Sequence, residues 1–63
     1  MTTTPKIIQD RIAEYEAKAE SLYAGLGDLT PIARTMAIGE IDACYQAIEM
    51  LRTILRQIAE ASE

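Results

Sequence analysis

Apolar residues recur along this chain in two helical rhythms of unequal width. In the first half they form a narrow seam, Ile8, Ile12, Tyr15, Ala19, Leu22 and Leu26, in alternating steps of four and three. That is the spacing of a coiled-coil stripe. The second half is apolar around far more of its circumference. From Ile32 to Ile58 the apolar positions spread over roughly 240° of a helix, where an ordinary surface helix shows a stripe of about 100° or a little more. One part of this surface, Ala37, Ile41, Cys44, Ile48, Leu51, Leu55 and Ile58, matches the seam of the first half. The other, Ile32, Met36, Ala43, Ala47, Met50 and Ile54, has no counterpart within the chain.

Punctuation sets the boundaries. Thr4-Pro5 and Thr30-Pro31 each place a hydroxyl at an N-cap and a proline at the first helical position, where its missing N–H costs nothing. Between them Gly25-Leu26-Gly27-Asp28-Leu29 supplies glycines for a helix C-terminus and a turn. The pattern predicts one domain over residues 1–63, with a helix over about 5–25, a turn over 26–30 and a helix over about 31–61. No segment has strand periodicity. Folded back on itself, the chain sets Leu22 near Ala37, Tyr15 near Ile41 and Cys44, and Ile8 near Leu51. The longer second helix is expected to overhang the start of the first with Ile54, Leu55 and Ile58.

The fold class is therefore all-α: an antiparallel helical hairpin that assembles into a homo-oligomeric helical bundle. Burying a large aliphatic side chain is worth about 1.5–3 kcal/mol, so an uncovered second surface forfeits much of a small domain's stability. The cheapest cover is another copy of the chain, in a four-helix dimer or a larger ring. The expected interface positions are Met36, Ala43, Ala47, Met50, Ile54 and Ile58. Gly39, four residues before Ala43, belongs beside them as a point of close helix approach, a bend, or a gap where ligand meets backbone.

Composition narrows the chemistry. With 63 residues and a single cysteine, Cys44, the chain has no internal disulfide to offset a small core. Cys44 falls on an apolar position and reads as a packing residue suited to a reducing cytoplasm. There is no histidine, which removes imidazole ligands and His-assisted catalysis. No apolar run approaches the roughly 20 residues of a membrane span, and the start lacks the layout of a signal peptide. The expectation is a cytoplasmic protein with no cofactor, no metal and no catalytic constellation. A net charge of −4 disfavours nucleic-acid polymers and anionic membranes.

Cations nevertheless gather near rings. Arg34, Arg52 and Arg56 fall on one edge of the second helix with Ile38 and Tyr45, and Lys18 follows Tyr15 by three residues. An arginine fork binds phosphate in a bidentate manner, and a tyrosine ring stacks on a base. Tyr15, Lys18, Arg34, Tyr45, Arg52 and Arg56 are thus candidate ligand-binding residues for a small nucleotide. The plainer alternatives stay open. Tyr15 sits in mid-seam, and Arg52 and Arg56 can lay their stems on the core and pair with Glu49 or Glu60. Glu14, Glu16 and Glu20 read as a solvated face.

Three stretches, Tyr15-Glu16-Ala17, Pro31-Ile32-Ala33-Arg34, and Ile41-Asp42-Ala43 followed by Ala47, resemble the phage anti-CBASS cyclic-oligonucleotide sponge family. The likeness covers about two-thirds of the chain, with a shorter interval between tyrosine and proline turn. Glu49-Met50-Leu51 stands where the family has an Ala-Asn pair. The resemblance implies a symmetric helical oligomer that traps a nucleotide signal between subunits without transforming it, in the service of immune evasion. Of the candidates, Tyr15 and Arg34 fall in the matching stretches. A second expectation needs no small ligand: a homodimeric hairpin adaptor or inhibitor that docks its exposed helices on another protein. An RNA-binding hairpin dimer ranks lower, because the chain is acidic and its cations are sparse.

Overall fold

The computed structural model describes residues 3–61. Two α-helices, α1 (Thr3–Ala24) and α2 (Pro31–Ala61), are joined by a short 3₁₀ turn over Leu26–Asp28. No strand occurs among the described residues. The helices run antiparallel. Close to the turn Arg34 reaches Leu26 and Leu29, at mid-length Ala19 packs with Ile41 and Cys44, and farther out Arg52 meets Glu16.

The turn is built from side-chain caps more than from glycine. Thr30 Oγ1 accepts the Ala33 N–H at 3.3 Å, and its carbonyl accepts the Arg34 N–H at 2.8 Å. With Pro31 in the first helical position, this is a capped N-terminus as the sequence predicts. α1 ends at Ala24, with the glycines following it into the turn. Every glycine φ is negative. Gly25 sits at φ −89°, ψ −2° and shares its N–H between the Ser21 and Leu22 carbonyls at 3.3 and 3.2 Å. The chain leaves α1 by tightening into 3₁₀ bonds, which satisfy terminal carbonyls without a left-handed residue. At the other end α1 starts at Thr3, ahead of the expected N-cap at Thr4. Pro5 then occupies the first turn, where no N–H is needed for the helix ladder.

The core follows the two seams. Ile12 and Ala19 of α1 are buried against Ala37, Ile41, Cys44 and Ile48 of α2. Tyr15, Leu22 and Leu26 pack around Ala19, Ile41 and Cys44. The predicted overhang is smaller than expected. Because α1 begins early, Leu55 and Ile58 are half-buried, and the extra length of α2 lies beside the turn instead.

Thickness is the main consequence. The molecule measures 49 × 16 × 10 Å, with a radius of gyration of 14.8 Å. A compact globule of this length would have about 11 Å. Its thin dimension leaves room for one layer of helix, so both broad sides of the hairpin face outward. The accessible surface, 5010 Å², exceeds the roughly 4,000 Å² typical of a folded 7 kDa monomer. Large apolar side chains contribute to it. Ile32, Met36 and Met50 are 78%, 67% and 66% exposed.

Two substitutions at the turn test this description by urea or thermal unfolding. Thr30→Ala removes the cap and is expected to cost about 1 kcal/mol. Gly27→Ala has negative φ and an unobstructed Cβ direction, so it is expected to stabilise by about 0.4–1 kcal/mol through the unfolded state. A loss of stability on Gly27→Ala contradicts the turn geometry.

Candidate functional site

At 3.6 residues per turn, each helix presents one flank to each broad side of the hairpin. Arg52 Nη2 meets Glu16 Oε2 at 3.5 Å, which fixes one side. There α2 shows Tyr45, Arg52, Ile38 and Arg56, while α1 shows Glu16, Glu20 and Tyr23. The reverse side carries Met36, Ala43, Ala47, Met50 and Ile54 on α2, with Ile7, Arg11 and Lys18 on α1.

On the first side Glu16, Glu20, Tyr23, Ala24 and Tyr45 line an open groove of about 450 Å³. Two phenol rings, 70% and 56% exposed at Tyr23 and Tyr45, flank two carboxylates. Such a lining favours cationic or hydrogen-bond-donating groups and repels phosphate. Arg52 stands at its border, half-exposed and engaged with Glu16. A pair this exposed contributes under about 1 kcal/mol, so a stronger anion can displace Glu16 from the guanidinium. Arg52 pairs across to α1, where the sequence offered Glu49 or Glu60. Arg56, on the same edge, is exposed and has no ion-pair partner among the described residues.

The six candidate residues do not converge in one chain. Tyr45, Arg52 and Arg56 share an edge. Arg34 lies on that edge too, but its Nε and Nη2 donate to the Leu26 and Leu29 carbonyls at 3.2 and 3.3 Å. Its fork holds the turn to α2. Tyr15 is half-buried in the seam, packed on the Ala19, Ile41 and Cys44 cluster. Lys18 is exposed and stands about 160° around α1 from Glu16 at 3.6 residues per turn, on the reverse side. The interface candidates Met36, Ala43, Met50 and Ile54 are exposed, while Ala47 and Ile58 are half-covered by the chain itself.

Sequence reasoning assigned Glu16 and Glu20 to a solvated face and gave Tyr23 no role. Glu16 and Tyr23 are seven residues apart, two turns on one edge of α1, and that edge opposes Tyr45 and Arg52 once the hairpin register is set. The signal was a cross-helix one, invisible in either periodicity alone.

Among the described residues no group of three or more His, Cys, Asp or Glu is gathered to hold a metal. Cys44 is a free thiol within the core, 4% exposed. Among the described residues no helix is long and apolar enough to cross a membrane. No family model, curated protein or solved structure matches the chain.

The arginines are separable by mutation. Arg34→Met removes two charge-assisted bonds to the turn and is expected to cost about 1–2 kcal/mol in thermal unfolding. Arg52→Met loses an exposed pair and is expected to change stability by less than about 0.5 kcal/mol. Equal effects would contradict the structural role assigned to Arg34.

Proposed function

We propose that this protein is a non-catalytic binding module that works as a homo-oligomer and sequesters a nucleotide second messenger at the interfaces between copies. The observation that carries the interfacial part is the division of the cations. Arg52 and Arg56 sit with Tyr45 on one broad side and Lys18 on the other, so only neighbouring copies bring both sets to one ligand. Arginine forks at the border of an apolar contact would hold phosphates, and Tyr45 would stack on a base. Sequestration needs affinity and abundance alone, which suits a chain whose residues suggest no catalytic constellation. Its resemblance to phage anti-CBASS sponges supplies the ligand class, a cyclic oligonucleotide or related signal, and a setting in the cytoplasm of an infected host.

A second reading is favoured by one observation, the acidic groove. Glu16 and Glu20 between Tyr23 and Tyr45 suit a basic side chain of a protein partner, as an adaptor or inhibitor would require. The two readings separate on ligand charge.

A thermal-shift screen with cyclic di- and trinucleotides is expected to raise the melting temperature by several degrees, since ligand at 100 times its Kd adds about 2.7 kcal/mol. The double variant Arg52→Ala, Arg56→Ala is expected to abolish that shift while light scattering shows the oligomer unchanged. No shift with any nucleotide overturns sequestration in favour of the adaptor. A shift that survives the double variant removes those arginines from the site.

A further inference from the structure

The uncovered face of α2 has an internal order that the hairpin does not use. Its members are Ile32, Met36, Gly39, Ala43, Ala47, Met50 and Ile54, separated by steps of four, three, four, four, three and four. Read from either end, the order of sizes is the same: a branched aliphatic, a methionine, a small residue, then Ala43 at the centre. From Ile32 to Ala43 and from Ala43 to Ile54 the interval is eleven residues. An eleven-residue repeat advances about 3.67 residues per turn, close to the helix's own 3.6. The stripe therefore runs almost straight along α2 and stays on one broad side. None of its seven positions is charged, and Gly39 has nothing within 4 Å of where a Cβ would stand.

The geometry points to a second copy of this chain as the occupant, packed antiparallel along α2 with the two-fold axis at Ala43. A two-fold contact brings residue i of one copy against residue j of the other and j against i. An antiparallel pair therefore requires a surface that reads alike in both directions. This face meets that requirement: Ile32 falls on the partner's Ile54, Met36 on the partner's Met50, Gly39 on the partner's Ala47, and Ala43 on itself. Large residues fill the two ends, and small ones at the centre allow the axes to approach to about 8 Å.

Charge favours the same direction. Toward the open end of the hairpin Lys6, Arg11, Arg52 and Arg56 are balanced by Asp10, Glu14, Glu49 and Glu60, whereas in the turn half Glu16, Glu20, Asp28, Glu40 and Asp42 outnumber Lys18 and Arg34. Antiparallel copies keep the two acidic turn halves apart, where parallel copies would stack them, and oppose the dipoles of the paired α2 helices. The stripe spans about 33 Å of helix, long enough for the roughly 800 Å² per partner of a standard interface. The surface that this chain exposes beyond a typical monomer is of that order. The inference rests on the homo-oligomer part of the functional reading and is independent of any nucleotide. This contact leaves Arg52, Arg56 and Tyr45 on the outer sides of the pair, so their meeting with Lys18 of another copy falls to a contact beyond this pair.

Two sets of variants test it, each checked for helicity by circular dichroism and followed by sedimentation. Met36→Glu and Met50→Lys sit at exposed positions, so each is expected to fold. Each alone should raise the dimer dissociation constant by about two orders of magnitude, because it buries an unpaired charge. Mixed in equal amounts they should recover association as a heterodimer, since Glu at 36 then meets Lys at 50. In the Cys44→Ala background, Ala43→Cys should crosslink to itself on mild oxidation, its Cα pair being within disulfide range. Met36→Cys should not crosslink to itself, because the two copies of that position lie about 21 Å apart along the axis. If Met36→Cys crosslinks to itself, or the charged variants fail to rescue each other, the antiparallel register is overturned while self-assembly stands. If the unmodified chain sediments as a folded monomer, the register and the homo-oligomer reading fall together.

Discussion

Covering α2 is the constraint on which everything else in this molecule depends. A single helix carries apolar residues on two of its sides, and the hairpin supplies one partner. α1 takes the seam of Ala37, Ile41, Cys44 and Ile48, which yields a core whose large buried side chains, among the described residues, are Ile12, Ile41 and Ile48. The remaining apolar side of α2 stays in water unless another chain arrives. A slab one helix thick cannot solve this by rearranging itself, because every residue of α1 is already committed to the seam or to solvent.

The turn translates that constraint into a fixed register. Thr30 caps α2, and Arg34 reaches back to two carbonyls of the turn, so α2 cannot slide along α1 without losing the Arg34 bonds. The register in turn decides which side chains share a flank. It brings Glu16 opposite Arg52 and Tyr23 beside Tyr45, and it leaves Lys18 on the reverse side with the methionines. The two broad sides thus differ in chemistry: one is ringed, charged and grooved, the other apolar and smooth. The second suits pairing through α2, and the first suits a charged partner or a ligand held where the pair meets a further copy.

Much of the architecture was legible in the residues. The two Thr-Pro pairs and the intervening glycines announced two helices and a turn, and the seams correctly set Tyr15 against Ile41 and Cys44. What periodicity could not supply was anything decided across the hairpin. Arg34 looked like a ligand-binding cation because its carbonyl partners, at Leu26 and Leu29, become visible only once the turn is folded. The glycines marked the end of α1 but not its geometry, in which 3₁₀ bonds form at negative φ. The overhang of Leu55 and Ile58 was overestimated because Pro5 lies inside the first turn of α1, so the helix extends to meet them. The candidate site was less legible than the fold. Its cations are surface side chains, and their grouping follows from flank geometry and from whichever copies stand beside them.

The central claim is that self-association covers α2 and thereby stabilises the folded hairpin. The most direct test is thermal unfolding followed by circular dichroism across about two decades of protein concentration, without ligand. If copies cover α2, mass action makes the melting temperature climb with concentration. A melting temperature that stays constant over that range, with full helicity at the lowest concentration, would contradict the account.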